Sequence, residues 1–390
     1  MTTNFKVTNG GLASDFSDLF IPRSIFSQGG LWAWGGNSNG ELGDNTTAGK
    51  SSPVQTVASG ITWKQVSTAK NIHTAGIKTD GTLWTWGNNG QGQLGDNTVA
   101  AKSSPVQTVA AGTNWIQVAC GNNHTIAIKA DGTLWAWGSN TNGQVGANDI
   151  THRSSPVQTV AGGTNWELVD GGRYHSAGIK TDGTLWVWGK NTNGQLGTND
   201  IVHRSSPVQT VAGGTNWKLI SCGGYNGHTA GIKTDGTLWT WGDNTFGALG
   251  DNSTTVRSSP VQTVAAGTNW KQVSVGSYYT AGIKTDGTLW SWGLNNRGQL
   301  GDNSVTDKSS PVQTITAATN WKQVSCSYVT SAAIKTDGSL WVWGGNDVGQ
   351  LGTNDLTHRS SPVQTVAGGT NWKLIGQSKG QICVAITDIY

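Results

Sequence analysis

The sequence repeats itself seven times, and this repeat leaves few folds open. The pentapeptide Leu-Trp-x-Trp-Gly recurs at intervals of 51 to 53 residues, beginning at Leu31, Leu83, Leu134, Leu185, Leu238, Leu289 and Leu340. The hexapeptide Ser-Ser-Pro-Val-Gln-Thr and a third Trp keep the same spacing, so three Trp per repeat account for all 21 in the chain. A period of this length with Gly and Trp landmarks indicates a β-propeller rather than a helical solenoid.

Each repeat predicts four strands. In the second unit, Trp115–Cys120 and His124–Lys129 alternate as two antiparallel strands, and an Asp-Gly pair at Asp131 supplies a tight hairpin turn. Leu134–Trp137 follows as the third strand, and the fourth begins at Pro156, where no ladder donor is needed. We therefore expect an all-β, seven-bladed β-propeller of four-stranded blades.

The ends of the chain predict how the ring closes. The last repeat runs from Trp372 to Thr387 and stops where the other repeats enter their Asp-Gly turn. The missing third and fourth strands stand at the other end, at Leu31 and Pro53. The last blade is expected to join two strands from each terminus, which pairs both free sheet edges. The predicted domains are an N-terminal attachment arm, 1–29, and the propeller, 30–390.

Composition excludes several classes of function. Charged residues are 12% of the chain and the net charge is +3, with no block of consecutive Lys or Arg, so nucleic acid is not an expected partner. No apolar stretch of about 18 residues appears, and no membrane insertion is expected.

The cysteines lie in different repeats, and a buried core role is expected for all four. They are Cys120, Cys222, Cys326 and Cys383.

The motifs resemble those of the regulator-of-chromosome-condensation repeat. The runs that carry the resemblance are Trp-Thr-Trp-Gly-Asn-Asn-Gly-Gln-Gly-Gln-Leu-Gly from Trp84 and Gly-Asn-Asn-His-Thr-Ile-Ala-Ile-Lys-Ala-Asp-Gly from Gly121. The resemblance covers residues 30–390 and implies a seven-bladed propeller. That family includes exchange factors for a small GTPase, bacterial protein inhibitors and uncharacterised bacterial and phage proteins. The blades differ in length by only a residue or two, and no inserted wedge of the exchange-factor kind is visible.

No catalytic or metal-binding group stands out. Four His share one position of the repeat, which becomes Tyr279 and Thr330 in later units, and we expect each His to bond the backbone of a neighbouring blade. These are His73, His124, His175 and His228. A second set precedes Arg in separate repeats and is poorly placed for a metal. These are His152, His203 and His358. With no nucleophile beside a base, we expect a protein that is not an enzyme and has no cofactor.

The repeats differ most between their first and second strands. Five of the six Tyr of the chain lie in these loops, which converge on one mouth of a propeller. A rigid ring presenting Tyr beside Gly, Ser and cations resembles an antibody paratope in composition. The alternative is that the Tyr fill the channel. The predicted partner-binding face comprises Lys70, Arg173, Tyr174, Tyr225, Tyr278, Tyr279, Tyr328 and Lys379.

Two further candidate surfaces are predicted. The loop after Trp-Gly varies as well and forms a reserve rim with Lys190, Phe246, Leu294, Arg297 and Val348. A cation precedes every Ser-Ser-Pro, which predicts a basic ring that is either a docking collar for an acidic or glycan partner or a set of solvated cations. The ring comprises Lys50, Lys102, Arg153, Arg204, Arg257, Lys308 and Arg359.

The N-terminal arm completes the functional hypothesis. Residues 12–23 resemble the short leaders of some bacteriophage virion structural proteins. We expect four apolar side chains of this arm either to anchor it in a neighbouring subunit or to fold back on the propeller. They are Phe16, Leu19, Phe20 and Ile21. The main prediction is a virion component, assembled in the host cytoplasm, that contacts other virion proteins and a host surface protein or glycan. The alternatives are a free, cytoplasmic protein-binding propeller, acting as an inhibitor or exchange factor, and a glycan-binding module.

Overall fold

The computed structural model shows a ring of seven β-sheets. It describes residues 30–57, 62–69, 73–110, 112–225, 227–265, 267–378 and 380–388. The arm with Phe16, Leu19, Phe20 and Ile21, and the loop residues Lys70 and Lys379, lie outside these ranges. Within them, no helix is long and apolar enough to cross a membrane.

The strands follow the repeat in chain order. The chain begins with β1 (Leu31–Gly35) and β2 (Lys50–Gln55). Blade 1 contains β3 (Trp63–Thr68), β4 (His73–Lys78), β5 (Leu83–Gly87) and β6 (Lys102–Gln107). Blade 2 contains β7 (Trp115–Cys120), β8 (His124–Lys129), β9 (Leu134–Gly138) and β10 (Arg153–Gln158). Blade 3 contains β11 (Trp166–Gly171), β12 (His175–Lys180), β13 (Leu185–Gly189) and β14 (Arg204–Gln209).

The second half of the ring has the same plan. Blade 4 contains β15 (Trp217–Cys222), β16 (His228–Lys233), β17 (Leu238–Gly242) and β18 (Arg257–Gln262). Blade 5 contains β19 (Trp270–Val275), β20 (Tyr279–Lys284), β21 (Leu289–Gly293) and β22 (Lys308–Gln313). Blade 6 contains β23 (Trp321–Cys326), β24 (Thr330–Lys335), β25 (Leu340–Gly344) and β26 (Arg359–Gln364). The last strands are β27 (Trp372–Ile375), β28 (Gln377–Ser378) and β29 (Ile382–Thr387).

Blade 7 is built from both ends of the chain, as predicted. Its sheet has the order β2-β1-β29-β27, and β1 pairs with β29 along its whole length, from Leu31 opposite Ile386 to Gly35 opposite Ile382. The short β28 adds a further link, because it pairs in parallel with β3 of blade 1. Backbone hydrogen bonds therefore join the first and last blades.

The core lies between the blades. The first strands of neighbouring blades contact one another from β3 to β27, and β28 completes the contact with β3, which makes these strands the innermost ones. Among the described residues, the buried apolar side chains form seven clusters, each shared by two neighbouring blades. The clusters contain two of the three Trp of every repeat as buried residues, so these rings serve chiefly as packing between sheets. All four cysteines are buried as well, in agreement with their predicted core role.

A hydrogen bond repeated in all seven blades also ties the ring together. The second Trp of each third strand donates its indole N–H to a backbone carbonyl in the preceding blade. Trp86, for example, donates to Glu41 O over 2.8 Å, and Trp34 donates to Gln350 O over 3.0 Å. These two bonds hold blade 7 to its neighbours on either side in the same way that every other blade is held.

Candidate protein-binding face

Two sets of loops lie at the same end of the ring. In blade 3, His175 at the start of β12 pairs with Gly189 at the end of β13, and Gly189 pairs with Arg204 at the start of β14. The loops between first and second strands and between third and fourth strands therefore share one end, which we call the upper end. The two variable surfaces predicted from sequence consequently belong to one surface.

The tyrosines of blades 4, 5 and 6 come together at the upper end. The ring centroid of Tyr225 lies 5.5 Å from that of Tyr278 and 6.1 Å from that of Tyr328. Phe246, from the loop between the third and fourth strands of blade 4, packs edge-on against Tyr278 at 5.2 Å. All four side chains are partly exposed. The result is an aromatic patch supplied by three consecutive blades.

Cations extend this patch to blade 3. The guanidinium carbon of Arg173 lies 4.2 Å from the ring centroid of Tyr225 and 4.8 Å from that of Tyr174. Lys190 Nζ lies 5.4 Å from the same Tyr174 ring. Cation–π contacts of this kind hold the two cations beside the aromatic rings. We call Arg173, Tyr174, Lys190, Tyr225, Phe246, Tyr278 and Tyr328 the upper aromatic face.

A buried carboxylate lies under the upper aromatic face. Asp243 is 4% exposed, accepts a hydrogen bond from Thr245 Oγ1 and has a raised pKa because burial disfavours its charge. Burial, together with the charge of Asp243 and the neighbouring Tyr225 and Tyr328, raises the pKa of Tyr278 to about 12. The Tyr278 hydroxyl is therefore protonated at neutral pH and can donate a hydrogen bond to a partner.

Tyr279 does not belong to this face, contrary to the prediction. Its side chain is 0% exposed, and its hydroxyl donates to Thr330 O over 2.6 Å between blades 5 and 6. Tyr279 opens β20 at the repeat position that His occupies in blades 1 to 4, and a residue at that position points between blades rather than to the upper end. Its neighbour Tyr278 precedes the strand and remains in the loop.

The reserve rim divides in two. Lys190 and Phe246 join the upper aromatic face, whereas Leu294 is buried and Val348 takes no part in the ring contacts described above. Arg297 contacts the His358 side chain of the next blade and lies 3.5 Å from Asp347. Sequence reasoning missed that Phe246 meets Tyr278. The antiparallel order of the four predicted strands could have indicated this contact, because it places the loop between the first and second strands and the loop between the third and fourth strands at the same end of the blade.

The basic ring is formed, but each cation has its own carboxylate. In every blade the cation lies 2.5 to 4.0 Å from an Asp of the loop that precedes the fourth strand. The pairs are Lys50–Asp44, Lys102–Asp96, Arg153–Asp149, Arg204–Asp200, Arg257–Asp251, Lys308–Asp302 and Arg359–Asp355. Partly exposed pairs of this kind contribute little stability, but they cancel most of the local charge. That cancellation weakens the docking-collar interpretation.

The histidines have structural roles. His73 Nε2 lies 2.8 Å from Thr125 Oγ1 of the next blade, and that hydroxyl donates to Gln93 O, so the imidazole must be the donor. The bonding partner is thus a hydroxyl of the neighbouring blade, not its backbone as predicted.

His152 and its two equivalents accept a backbone N–H within their own loop through Nδ1. The part of the chain that the structure describes contains no group of three or more His, Cys, Asp or Glu that could hold a metal ion.

Comparison with known proteins identifies the family. A model of the RCC1-like domain matches residues 24–263, and models of the regulator of chromosome condensation (RCC1) repeat match residues 286–334 and 337–375. The chain belongs to the RCC1 repeat family. The match confirms both the predicted resemblance and the propeller fold.

Relatives of this RCC1 repeat protein have diverse roles. It is 30% identical to the ultraviolet-B receptor UVR8 of Arabidopsis thaliana over 339 residues, which cover 85% of this chain and 76% of the receptor. It is 27% identical to the human E3 ubiquitin-protein ligase HERC2 over 369 residues, 88% of this chain but 7% of the ligase. Among solved structures, human WBSCR16 superposes with a TM-score of 0.81 at 20% identity, covering 93% of this chain and 99% of that one. Prp20p of Saccharomyces cerevisiae also gives 0.81 at 20% identity, covering 94% and 93%.

Proposed function

We propose that this protein is a non-enzymatic, protein-binding propeller that holds its partner on the upper aromatic face. One observation carries the proposal: aromatic and cationic side chains from four consecutive blades converge at one end of a rigid ring. Tyr and Arg are enriched among the residues that dominate binding energy at protein interfaces, because Tyr buries a large area with few rotatable bonds and Arg presents a planar set of hydrogen-bond donors. The Prp20p structure was described together with binding to Gsp1p and histones, which supports protein binding as a use of this fold.

A triple variant tests the proposal. Replacing Tyr225, Tyr278 and Tyr328 by Ala removes the centre of the aromatic patch, and we expect partner affinity to fall by at least about a hundredfold, since hot-spot residues each contribute roughly 2 kcal/mol or more. The measurement is affinity capture from a lysate of the source with mass-spectrometric identification, followed by titration of the purified partner.

The matched control changes the opposite end of the ring. Val109, Val160 and Val211 follow the fourth strands at the lower end and are about half exposed. Their replacement by Ala should leave the partner bound. A partner lost from the valine variant, or kept by the tyrosine variant while its thermal unfolding is unchanged, would remove the upper aromatic face from the proposal.

The virion component remains a second proposal, and it rests on the arm sequence. Residues 12–23 resemble phage leaders, but none of the relatives named above is a virion protein. Under this proposal the protein is found in particles, and deletion of residues 1–29 abolishes incorporation while the propeller still folds. Electron microscopy of purified particles distinguishes the two proposals. A ring absent from every particle leaves the free protein-binding propeller, which we would place in the cytoplasm.

A further inference from the structure

Arg173 differs from every other arginine in the described residues. Six arginines lie there, and five of them have a carboxylate oxygen within 4.0 Å. Those five are Arg153, Arg204, Arg257, Arg297 and Arg359. Within the described ranges, Arg173 has no such ion pair, and its neighbours are the rings of Tyr174 and Tyr225. Its Nε is buried and has no hydrogen-bond partner there.

The contacts of Arg173 leave its charge available to a ligand. Aromatic rings attract a guanidinium, but they do not accept its N–H groups as a carboxylate does. A guanidinium held by rings is restricted in orientation, and its fork of N–H donors matches a planar carboxylate in two parallel hydrogen bonds. Arg173 therefore combines a fixed position with N–H donors that no side chain among the described residues accepts.

The accessible charge around Arg173 is positive. Lys190 contributes a second cation, whose Nζ lies beside the Tyr174 ring. Two carboxylates near this end of blades 3 and 4 are buried: Asp243 is 4% exposed and accepts from Thr245, and Asp170 is 1% exposed and accepts from the backbone N–H groups of Gly171 and Cys222. A ligand that approaches the upper aromatic face thus meets two cations beside aromatic rings, whereas the carboxylates of Asp170 and Asp243 are buried.

We propose that the upper aromatic face recognises an acidic segment of a protein, in which an Asp or Glu carboxylate binds Arg173 and a neighbouring apolar side chain packs on Tyr225, Tyr278 and Phe246. This inference rests on the proposed function and names the chemistry of its partner. The partner's carboxylate supplies the ion pair that Arg173 lacks among the described residues. The aromatic patch next to Arg173 buries the apolar side chain that flanks this carboxylate in the partner. Specificity comes from the fixed separation between the guanidinium and the rings.

Selection from a library of short, unmodified peptides tests the inference with the full-length protein. We expect the enriched peptides to place Asp or Glu next to a large apolar residue. We expect Arg173→Gln to weaken the binding of such a peptide at least about tenfold in fluorescence anisotropy, because a charge-assisted bidentate pair is lost. Binding to the unchanged protein should also weaken as salt is raised, and binding to the variant should respond less.

Arg297→Gln is the matched control, because Arg297 lies in an upper-end loop of blade 5 but has partners within the protein. This substitution should change peptide affinity by no more than about twofold, because the proposed contact with the peptide does not include Arg297. Equal losses for the two variants would overturn the role of Arg173.

The failure of this inference can be distinguished from failure of the proposed function. Enriched peptides without acidic residues that nevertheless lose binding in the triple tyrosine variant would overturn the acidic-segment inference and leave the face intact. Peptides that bind equally well to the triple tyrosine variant would overturn both. Binding that appears only when a phosphorylated residue replaces Asp or Glu would also overturn the inference, since it would assign the site to phosphate.

Discussion

At the scale of single residues, buried His side chains couple the blades and make the protein sensitive to acid. His73 and His124 are fully buried, and burial lowers the pKa of each to about 3. His124 Nε2 contacts Ser176 Oγ of the next blade at 2.9 Å, and that hydroxyl bonds Gln144 O in turn. The unfolded chain protonates such a His near its ordinary pKa of 6.5, whereas the folded chain keeps it neutral until far lower pH. These His therefore leave the free energy of unfolding unchanged above about pH 6.5 and lower it as pH decreases below that value.

Replacing His124 by Tyr should remove one such acid-sensitive group. Tyr279 fills the equivalent position in blade 5, where its hydroxyl lies 3.1 Å from Ser331 Oγ, the counterpart of Ser176. Between about pH 6 and pH 4, the free energy of unfolding of the parent should decrease by about 1.4 kcal/mol per pH unit more than that of the variant. Urea unfolding at several pH values measures both slopes.

The reverse substitution, Tyr279→His, is the control. It should make the free energy of unfolding decrease, between about pH 6 and pH 4, by about 1.4 kcal/mol per pH unit more than that of the parent. Parallel pH dependence in the parent and both variants would show that these imidazoles do not limit stability in acid.

At the scale of elements, the loop between the third and fourth strands fills the space against the next blade. In blade 4, Gly250 has a φ of +65°, and Trp292 of blade 5 donates its indole N–H to the nearby Ala248 O. A methyl group on Gly250 would lie 2.7 Å from Trp292 Nε1. The loop is thus shaped by the indole of the neighbouring sheet, and the glycine is required both for its φ and for space.

A pair of Gly→Ala variants separates these two requirements. Gly213, in the connection before β15, has a φ of +49° and no atom within 4 Å of an added methyl group. Gly213→Ala should lower the free energy of unfolding by about 1 kcal/mol, the cost of a positive φ. Gly250→Ala should cost at least about 2 kcal/mol more, because Trp292 must move and its hydrogen bond is strained.

Chemical denaturation of both glycine variants at neutral pH gives the comparison. Similar losses in the two variants would mean that the loop moves away from Trp292 at no cost.

At the scale of the whole molecule, closure of the ring depends on blade 7. The β1–β29 pairing joins the two ends of the chain, and β28 extends the link to blade 1. Thr387 N donates to Gly30 O over 3.1 Å, so the two ends of the described chain meet where other blades have an Asp-Gly hairpin. A sheet shared by both termini cannot separate without breaking backbone pairing.

A circular permutant tests this role. Asp388 is joined to Gly30 through an Asp-Gly dipeptide, and the chain is opened between residues 57 and 62, so that every blade becomes continuous. We expect the permutant to fold with the same far-UV circular dichroism but to unfold at least about tenfold faster in urea, because the two end blades are no longer held by strands from opposite termini. The reference is residues 30–388 in natural order. Equal unfolding rates would show that side-chain contacts between blades suffice.

The sequence alone determined the number of blades, the four strands in each and the shared blade 7. These features depend on periodicity and turn chemistry, which are local and repeat seven times. It also located most of the upper aromatic face, because Tyr174, Tyr225, Tyr278 and Tyr328 stand where the repeats differ.

The tertiary structure decided which side chains meet. It buried Tyr279 between blades, joined Phe246 to Tyr278 from a different loop, and balanced each cation of the basic ring with an Asp. It also left Arg173 beside aromatic rings. Such relations depend on distances between neighbouring sheets and on the direction of each side chain, and a repeat pattern read along one chain contains neither.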